Sequence, residues 1–254
     1  MNYILEIYVY YRMSDKPAYA IKNKAPYINN KNCLNNFISN FGKENLHVIA
    51  DSVKDETKKY LINKSKQYNF FFEIVDFKSG SKTFARALDL ALQHNNKDII
   101  YFVEDDFLHL PGSKNIIIEA FLETHADYVT LYDHPDKYID KKKGGPNPFI
   151  KDGGESTRVI LSSSTHWKIT NSTVMTFAAR VKTLVEDEKV WRKCTSGNIP
   201  ADFDAFNKLC LRKQFFQFWK KKRTLISPIP GWATHGETEF LTPFIDWEKV
   251  IRDY

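Results

Sequence analysis

The chain predicts an α/β fold built on a mostly parallel, doubly wound sheet flanked by helices. Three observations carry that prediction. Strand-like and helix-like segments alternate through the first hundred residues, the βαβ rhythm of a parallel sheet. The run Asp98–His109, D-I-I-Y-F-V-E-D-D-F-L-H, is a continuous apolar stretch ending in three acids. A strand buried on both faces reads that way, and ligands of open α/β sheets bind just past such strand ends. Finally, no repeat and no Pro/Gly/Ser-rich linker divides the 254 residues, so one domain is expected.

The elements follow in order. Tyr3–Tyr11 is β-rich in Tyr, Ile and Val, and Ala25–Asn40 carries Leu34, Phe37 and Ile38 at helical spacing before Gly42. Leu46–Ala50 is a short apolar strand ending at Asp51 and Ser52, Asp55–Gln67 a helix, and Phe70–Phe77 a third strand. Thr83–His94, rich in Ala and Leu, is the helix that leads into the acidic strand end. Beyond it, Asn115–Glu123 reads as helix and Tyr128–Tyr132 as strand. The Pro-, Gly- and Lys-rich stretch from His134 to Gly154 reads as a long loop. Arg158–Ser163 and Ser172–Ala178 read as strands, Val181–Trp191 and Asp202–Lys213 as helices, and Leu225–Tyr254 as a tail wrapping the surface.

Composition narrows the function classes. The formal charge is +6, with basic clusters at Lys141–Lys143 and Lys220–Arg223. No helix-turn-helix, zinc-finger or RNA-recognition signature accompanies them, so a nucleic-acid partner is not expected. The same clusters leave peripheral contact with an anionic membrane surface open. No stretch is long and apolar enough to span a bilayer. The N-terminus, with Glu6 in its apolar run, reads as a strand rather than a signal peptide. Cys33, Cys194 and Cys210 are widely spaced and odd in number, which suits reduced buried thiols in a cytoplasmic protein.

Four segments carry chemistry. Glu104, Asp105 and Asp106 repel one another unless they hold a cation or point into water. In V-I-A-D-S-V-K-D-E-T (48–57), Asp51 sits at a strand end, where a carboxylate can accept from a base imino N–H or simply shape a turn. In G-S-K-T-F-A-R-A-L-D-L-A-L (80–92), Arg86 can neutralise phosphate or lie on the helix surface. In P-A-D-F-D-A-F-N-K-L (200–209), Asp202 stands at a helix N-terminus, where the dipole favours a carboxylate for catalysis or for capping alike. In P-G-W-A-T-H-G-E (230–237), His235 follows an apolar turn with Trp232 beside it, and a lone His of this kind is more often structural.

In this order the segments resemble the GT-A-fold glycosyltransferases of the family-two-like group, over roughly residues 3 to 240. The resemblance implies a nucleotide-binding half in residues 1–110 and an acceptor-binding half in 111–254. It implies that Asp51, Arg86, Glu104 and Asp105 contact a UDP- or GDP-type sugar donor, Glu104 on the ribose side. Asp106 and His235 would hold Mn²⁺ or Mg²⁺ on the diphosphate. Asp202 would be the base of an inverting transfer to a hydroxyl of a glycan or glycoconjugate, and Trp232 the aromatic best placed to stack on the acceptor sugar. A carbohydrate- or nucleotide-binding protein with a degenerate site is the alternative, because Glu104, Ala87 and Ala201 depart from the family pattern. A sugar-phosphate nucleotidyltransferase ranks lower, since Y-Y-R-M-S-D-K-P after the first strand has no glycine to grip phosphate.

Overall fold

The computed structural model describes residues 5–15, 23–211 and 222–252. Tyr3 and Ile4 of the first expected strand, Arg212 and Lys213 of the last expected helix, and Lys220 and Lys221 lie outside the described residues.

The first half winds as expected. Strands β1 (Ile7–Ser14), β2 (Leu46–Asp51), β3 (Phe71–Val75) and β4 (Ile99–Glu104) alternate with helices α1 (Asn30–Asn40), α2 (Asp55–Tyr68) and α3 (Gly80–Ala91). They form a parallel run in the order β3-β2-β1-β4. The chain leaves β1 toward β2 on one side and returns to β4 on the other. Their carboxyl ends therefore flank a topological switch point, where open α/β sheets form their binding crevice.

The second half supplies β5 (Phe107–His109), α4 (Ser113–Glu123), β6 (Tyr128–Val129), β7 (Val159–Leu161), β8 (His166–Thr170), β9 (Phe177–Arg180), α5 (Val181–Cys194), α6 (Asp202–Cys210), β10 (Leu225–Ile229), β11 (Ala233–His235) and α7 (Trp247–Arg252). The sheet continues past β4 as β9-β6-β10-β8-β7, with β9 antiparallel to both β4 and β6. Among the described residues β5 pairs with β11 alone, in a small separate ribbon.

Alternation along the central strands explains their continuous apolar runs, because both faces are covered. Val9, Tyr11, Tyr101 and Val103 pack with Leu34, Phe37, Ile116 and Ile117 from α1 and α4. Tyr10, Ile100 and Phe102 pack on the other face with Phe84, Leu88, Leu184, Trp191 and Phe206 from α3, α5 and α6. Ala87 lies fully buried in that second core. Helix starts follow their capping residues: the Asn29 side chain accepts from Asn32 N–H at 3.0 Å, and Ser79 accepts from Lys82 N–H at 3.3 Å. Asn69 ends α2 in the left-handed conformation that asparagine tolerates.

Three readings need correction. The tail expected to wrap the surface from Leu225 begins instead with β10, a buried strand between β6 and β8. The strand expected over 172–178 begins only at Phe177, because Ser172–Val174 line a cleft instead of pairing. Strand β8 escaped notice since H-W-K-I-T places Lys168 where an apolar residue was required. Lys168 is buried, and its Nζ donates to Asp133 at 2.6 Å and to the Tyr138 hydroxyl at 2.9 Å.

The three cysteines are free and buried, and burial raises each thiol's pKa. Among the described residues no helix is long and apolar enough to cross a membrane. His109 is fully buried between α1 and the β4–β5 turn, with Nε2 at 2.7 Å from the Tyr101 hydroxyl. Burial pushes its pKa down from 6.5 to about 3. Above pH 6.5 the imidazole is neutral in both folded and unfolded chains. Between pH 6.5 and about 3 only the unfolded chain takes up the proton, so stability falls with acidity, by up to about 1.4 kcal/mol per pH unit from this group. Urea melts at several pH values should show a shallower acid slope for His109→Gln; an unchanged slope would place the proton uptake elsewhere.

Candidate active site

The carboxyl ends of β1, β2 and β4 open into a cleft of about 1310 Å³. Asp51, Glu104, Asp105, Asp106, Asp202 and His235 all line it, although they come from separate stretches of chain. Parallel strands deliver the first four side chains to one edge. The tail delivers His235, because β11 pairs antiparallel with β5 and sets His235 opposite Phe107, the residue after Asp106. Gly236 permits the approach. A Cβ there would lie 2.4 Å from Ile28 Cγ2 and 3.0 Å from the Asp106 carbonyl oxygen.

The three acids occupy different environments. Glu104 sits opposite Arg12 in the β1–β4 register, and the two pair at 3.3 Å. Arg12 is buried, also donates to the Met175 carbonyl at 3.2 Å, and lies over the Phe84 ring. Asp105 accepts from the Ser14 backbone N–H at 2.7 Å. Burial and the adjacent Asp106 charge push its carboxyl up to about 7. Asp106 moves the other way: burial alone would raise its pKa, but His235 and Lys24 outweigh it and hold the carboxyl well below the usual range. His235 Nε2 lies 3.1 Å and Lys24 Nζ 2.8 Å from the same oxygen, Oδ2.

The other oxygen of Asp106, Oδ1, is buried and has no hydrogen-bond partner among the described residues. An unsatisfied buried carboxylate oxygen is costly unless a ligand or ion completes it. Carboxylate oxygen with imidazole is a donor set suited to Mn²⁺ or Mg²⁺, so these residues fit the metal that the resemblance implies. No group of three His, Cys, Asp or Glu side chains converges as a metal cage among the described residues. A bound ion would therefore draw its remaining ligands from phosphate and water, as Mg²⁺ commonly does.

Asp51 lines the cleft from the end of β2 and also ties down the turn beside it. Its Oδ1 accepts from the Phe77 and Lys78 N–H groups at 2.8 and 3.0 Å and from the Ser52 hydroxyl at 2.9 Å. Its Oδ2 accepts from Ser79 N–H at 3.1 Å and the Thr83 hydroxyl at 3.0 Å. With both oxygens engaged, this carboxylate is the keystone of the β3–α3 turn at the edge of the cleft. The turn in turn carries the opposite wall. Ser79 Oγ and Ser81 N–H donate to the Asn198 carbonyl at 3.0 and 3.3 Å, which pins the segment leading to Asp202. Asp202 opens α6, and its Oδ1 accepts from Phe203 N–H at 2.7 Å.

Arg86 and Trp232 are not brought to the cleft. Arg86 forks onto Glu73 of β3, with N–H···O distances of 3.0–3.3 Å. Trp232 packs partly buried against the core, its indole N–H 3.4 Å from Thr165 Oγ1.

Sequence reasoning passed over several cleft residues. Arg12, a charge inside an otherwise apolar strand, was the one with a legible signal. His134, Asp136 and Lys137 also line the cleft, from the loop after β6. Lys137 is buried, donates to Asn171 Oδ1 at 2.8 Å and Ser172 Oγ at 2.7 Å, and burial lowers its pKa. The Asp133–Lys168–Tyr138 network anchors that loop to β8, which no sequence pattern announces.

A parallel four-strand half, an acidic turn at the switch point and a cleft closed by a mixed second half define the GT-A class of fold. A model of glycosyl transferase family 2 matches residues 20–176, more than half of the chain, and the chain belongs to that family. Among solved structures it is similar to "GalNAc-T7 with UDP, GalNAc and Mn2+", with a TM-score of 0.58 at 11% identity over 91% of this chain and 43% of that one. It also aligns with S. aureus TarS 1-349 in complex with UDP-GlcNAc, with a TM-score of 0.45 at 14% identity over 88% of this chain and 58% of that one. The first likeness bears on the fold alone, and the second is too distant to carry an argument. The chain thus spans about half the length of these neighbours. A comparison with curated proteins finds no match.

Proposed function

We propose that this chain transfers a sugar from a nucleoside diphosphate sugar to a hydroxyl group of a glycan or glycoconjugate, with inversion at the anomeric carbon. The observation that carries this reading is the meeting, in one cleft, of the acidic turn at the end of β4, His235 from the tail and Asp202 from α6. Family membership supports the transfer reaction, and the unsatisfied Oδ1 of Asp106 supports a divalent ion.

In this mechanism Asp202 accepts the proton of the acceptor hydroxyl as its oxygen attacks the anomeric carbon. The bond from that carbon to the donor phosphate oxygen breaks, and the nucleoside diphosphate leaves with the electron pair. Asp106 and His235 are the residues that would hold a divalent ion, which when bound would supply Lewis-acid stabilisation of the diphosphate leaving group. Glu104, paired with buried Arg12, would face the donor at its ribose end, with Asp105 as a further donor contact.

Thermal-shift titration of UDP and GDP, with and without Mn²⁺, tests the donor reading. A ligand that binds only the folded chain raises its melting temperature with concentration. One of the two nucleotides should stabilise the protein, more so with Mn²⁺, and Asp106→Ala should remove the Mn²⁺-dependent increment. A chain indifferent to both nucleotides under all these conditions would sink the proposal, and an Asp106→Ala variant that keeps the increment would sink the metal assignment.

A further inference from the structure

Lys24 is absent from every motif discussed above, yet its ammonium lies closer to Asp106 Oδ2 than the His235 imidazole does, at 2.8 against 3.1 Å. Its position is built. Ala25 N–H donates to the Gly236 carbonyl at 3.3 Å, and Thr238 N–H donates to the Asn23 carbonyl at 2.8 Å. An antiparallel bridge sets Lys24 against Glu237. The segment that carries His235 therefore also holds Lys24 over the acidic turn. The Lys24 side chain keeps about a third of its surface exposed, lines the cleft, and has an ammonium with three donor hydrogens.

A cation on this oxygen is hard to explain as a simple surface pair. Exposed ion pairs contribute little, but the Asp106 side chain is only 14% exposed, and screening is correspondingly weak. A fixed positive charge on a metal-ligand carboxylate also opposes the binding of a second cation there. A site shaped for a divalent ion alone has no use for it. A site shaped for a diphosphate does, since an ammonium is a point-charge partner for phosphate oxygens.

We infer that Lys24 is a donor-diphosphate ligand that shares Asp106 with the divalent ion, so that the chain holds a nucleoside diphosphate even without metal. Lys24 neutralises Asp106 when no ion is bound and offers its remaining N–H donors to the diphosphate. A divalent ion at the unpaired Oδ1 would offset the carboxylate's charge and leave the ammonium to phosphate. Lys24 is a binding residue in this role, and it takes no part in proton transfer. The inference rests on the donor reading above, and its test separates the two.

Wild type, Lys24→Met and Lys24→Arg are compared in two binding measurements, with thermal melts to confirm that each variant is folded. The first titrates Mn²⁺ alone, read by electron paramagnetic resonance, and needs no nucleotide. Lys24→Met should bind Mn²⁺ about tenfold more tightly than wild type, the factor set by losing one opposing charge beside the ligand. The second titrates UDP and GDP by calorimetry in the presence of a chelator. Wild type should bind one of them, Lys24→Met about tenfold more weakly, and Lys24→Arg nearly as well as wild type. Unchanged Mn²⁺ affinity in Lys24→Met overturns the sharing of Asp106. Unchanged nucleotide affinity in chelator overturns the diphosphate contact. Nucleotide binding to wild type that appears only with Mn²⁺ also overturns the inference while leaving the donor reading intact. If neither nucleotide binds wild type with or without Mn²⁺, the donor reading falls, and this inference with it.

Discussion

Asp202→Asn lowers the turnover number by about 10²–10⁴-fold, the usual worth of a general base, and leaves nucleotide affinity unchanged. The substitution keeps the size and shape of the side chain and its acceptor oxygen for Phe203 N–H, so α6 should start as before. What it removes is the ability to take a proton. Asp202 stands in the first turn of α6, where the helix dipole favours negative charge, and the segment before it is held by the Ser79 and Ser81 contacts to Asn198. Measuring nucleoside diphosphate release alongside calorimetric nucleotide binding separates the two effects. A variant that retained most of its turnover would show that another group accepts the proton.

Asp51→Ala destabilises the fold by about 3–5 kcal/mol and lowers turnover as well. Hydrogen bonds to a charged acceptor are worth ~1.5–3 kcal/mol each, and neighbouring ones do not add in full. Five donors converge on this one buried carboxylate, three of them backbone N–H groups of the β3–α3 turn. With the carboxylate gone, Phe77, Lys78 and Ser79 lose their acceptor, and the Ser79–Asn198 contact that positions Asp202 loses its footing. Urea denaturation measures the stability, and kinetics on the folded fraction measure the rest. Asp51→Asn, which keeps one acceptor oxygen, should fall between wild type and alanine. A loss below about 1 kcal/mol for alanine would mean that the turn holds without its keystone.

The contrast between these two aspartates shows where reading from sequence runs out. Both stand at the ends of core elements, and both match positions the family resemblance marks. Both line the cleft, but the partners of Asp51 engage both oxygens of its carboxylate and tie it to the β3–α3 turn. Those partners lie mostly 26 to 32 residues downstream, in a turn whose conformation no local pattern specifies. The pairing of Arg86 is hidden for a related reason. Its helix was read correctly, but the Glu73 that captures it sits on an edge strand, and strand adjacency follows from topology. Lys168 hid β8 because a buried lysine is legible only when its carboxylate partner is known to be near.

By itself the sequence determined what periodicity and residue type can determine: the parallel first half, the two-faced burial of β1 and β4, and the acidic turn at the end of β4. These depend on contacts within a strand or a helix, or on side chains that must be buried wherever the element goes. The tertiary structure alone decided which charges meet. It set Arg12 beside Glu104, brought Lys24 and His235 to a single oxygen of Asp106, and tied Asp51 to the turn that supports Asp202. Such pairings join residues far apart in the chain, as for His235 and Asp106. Their energies depend on distance and burial, quantities that exist only after the chain has folded.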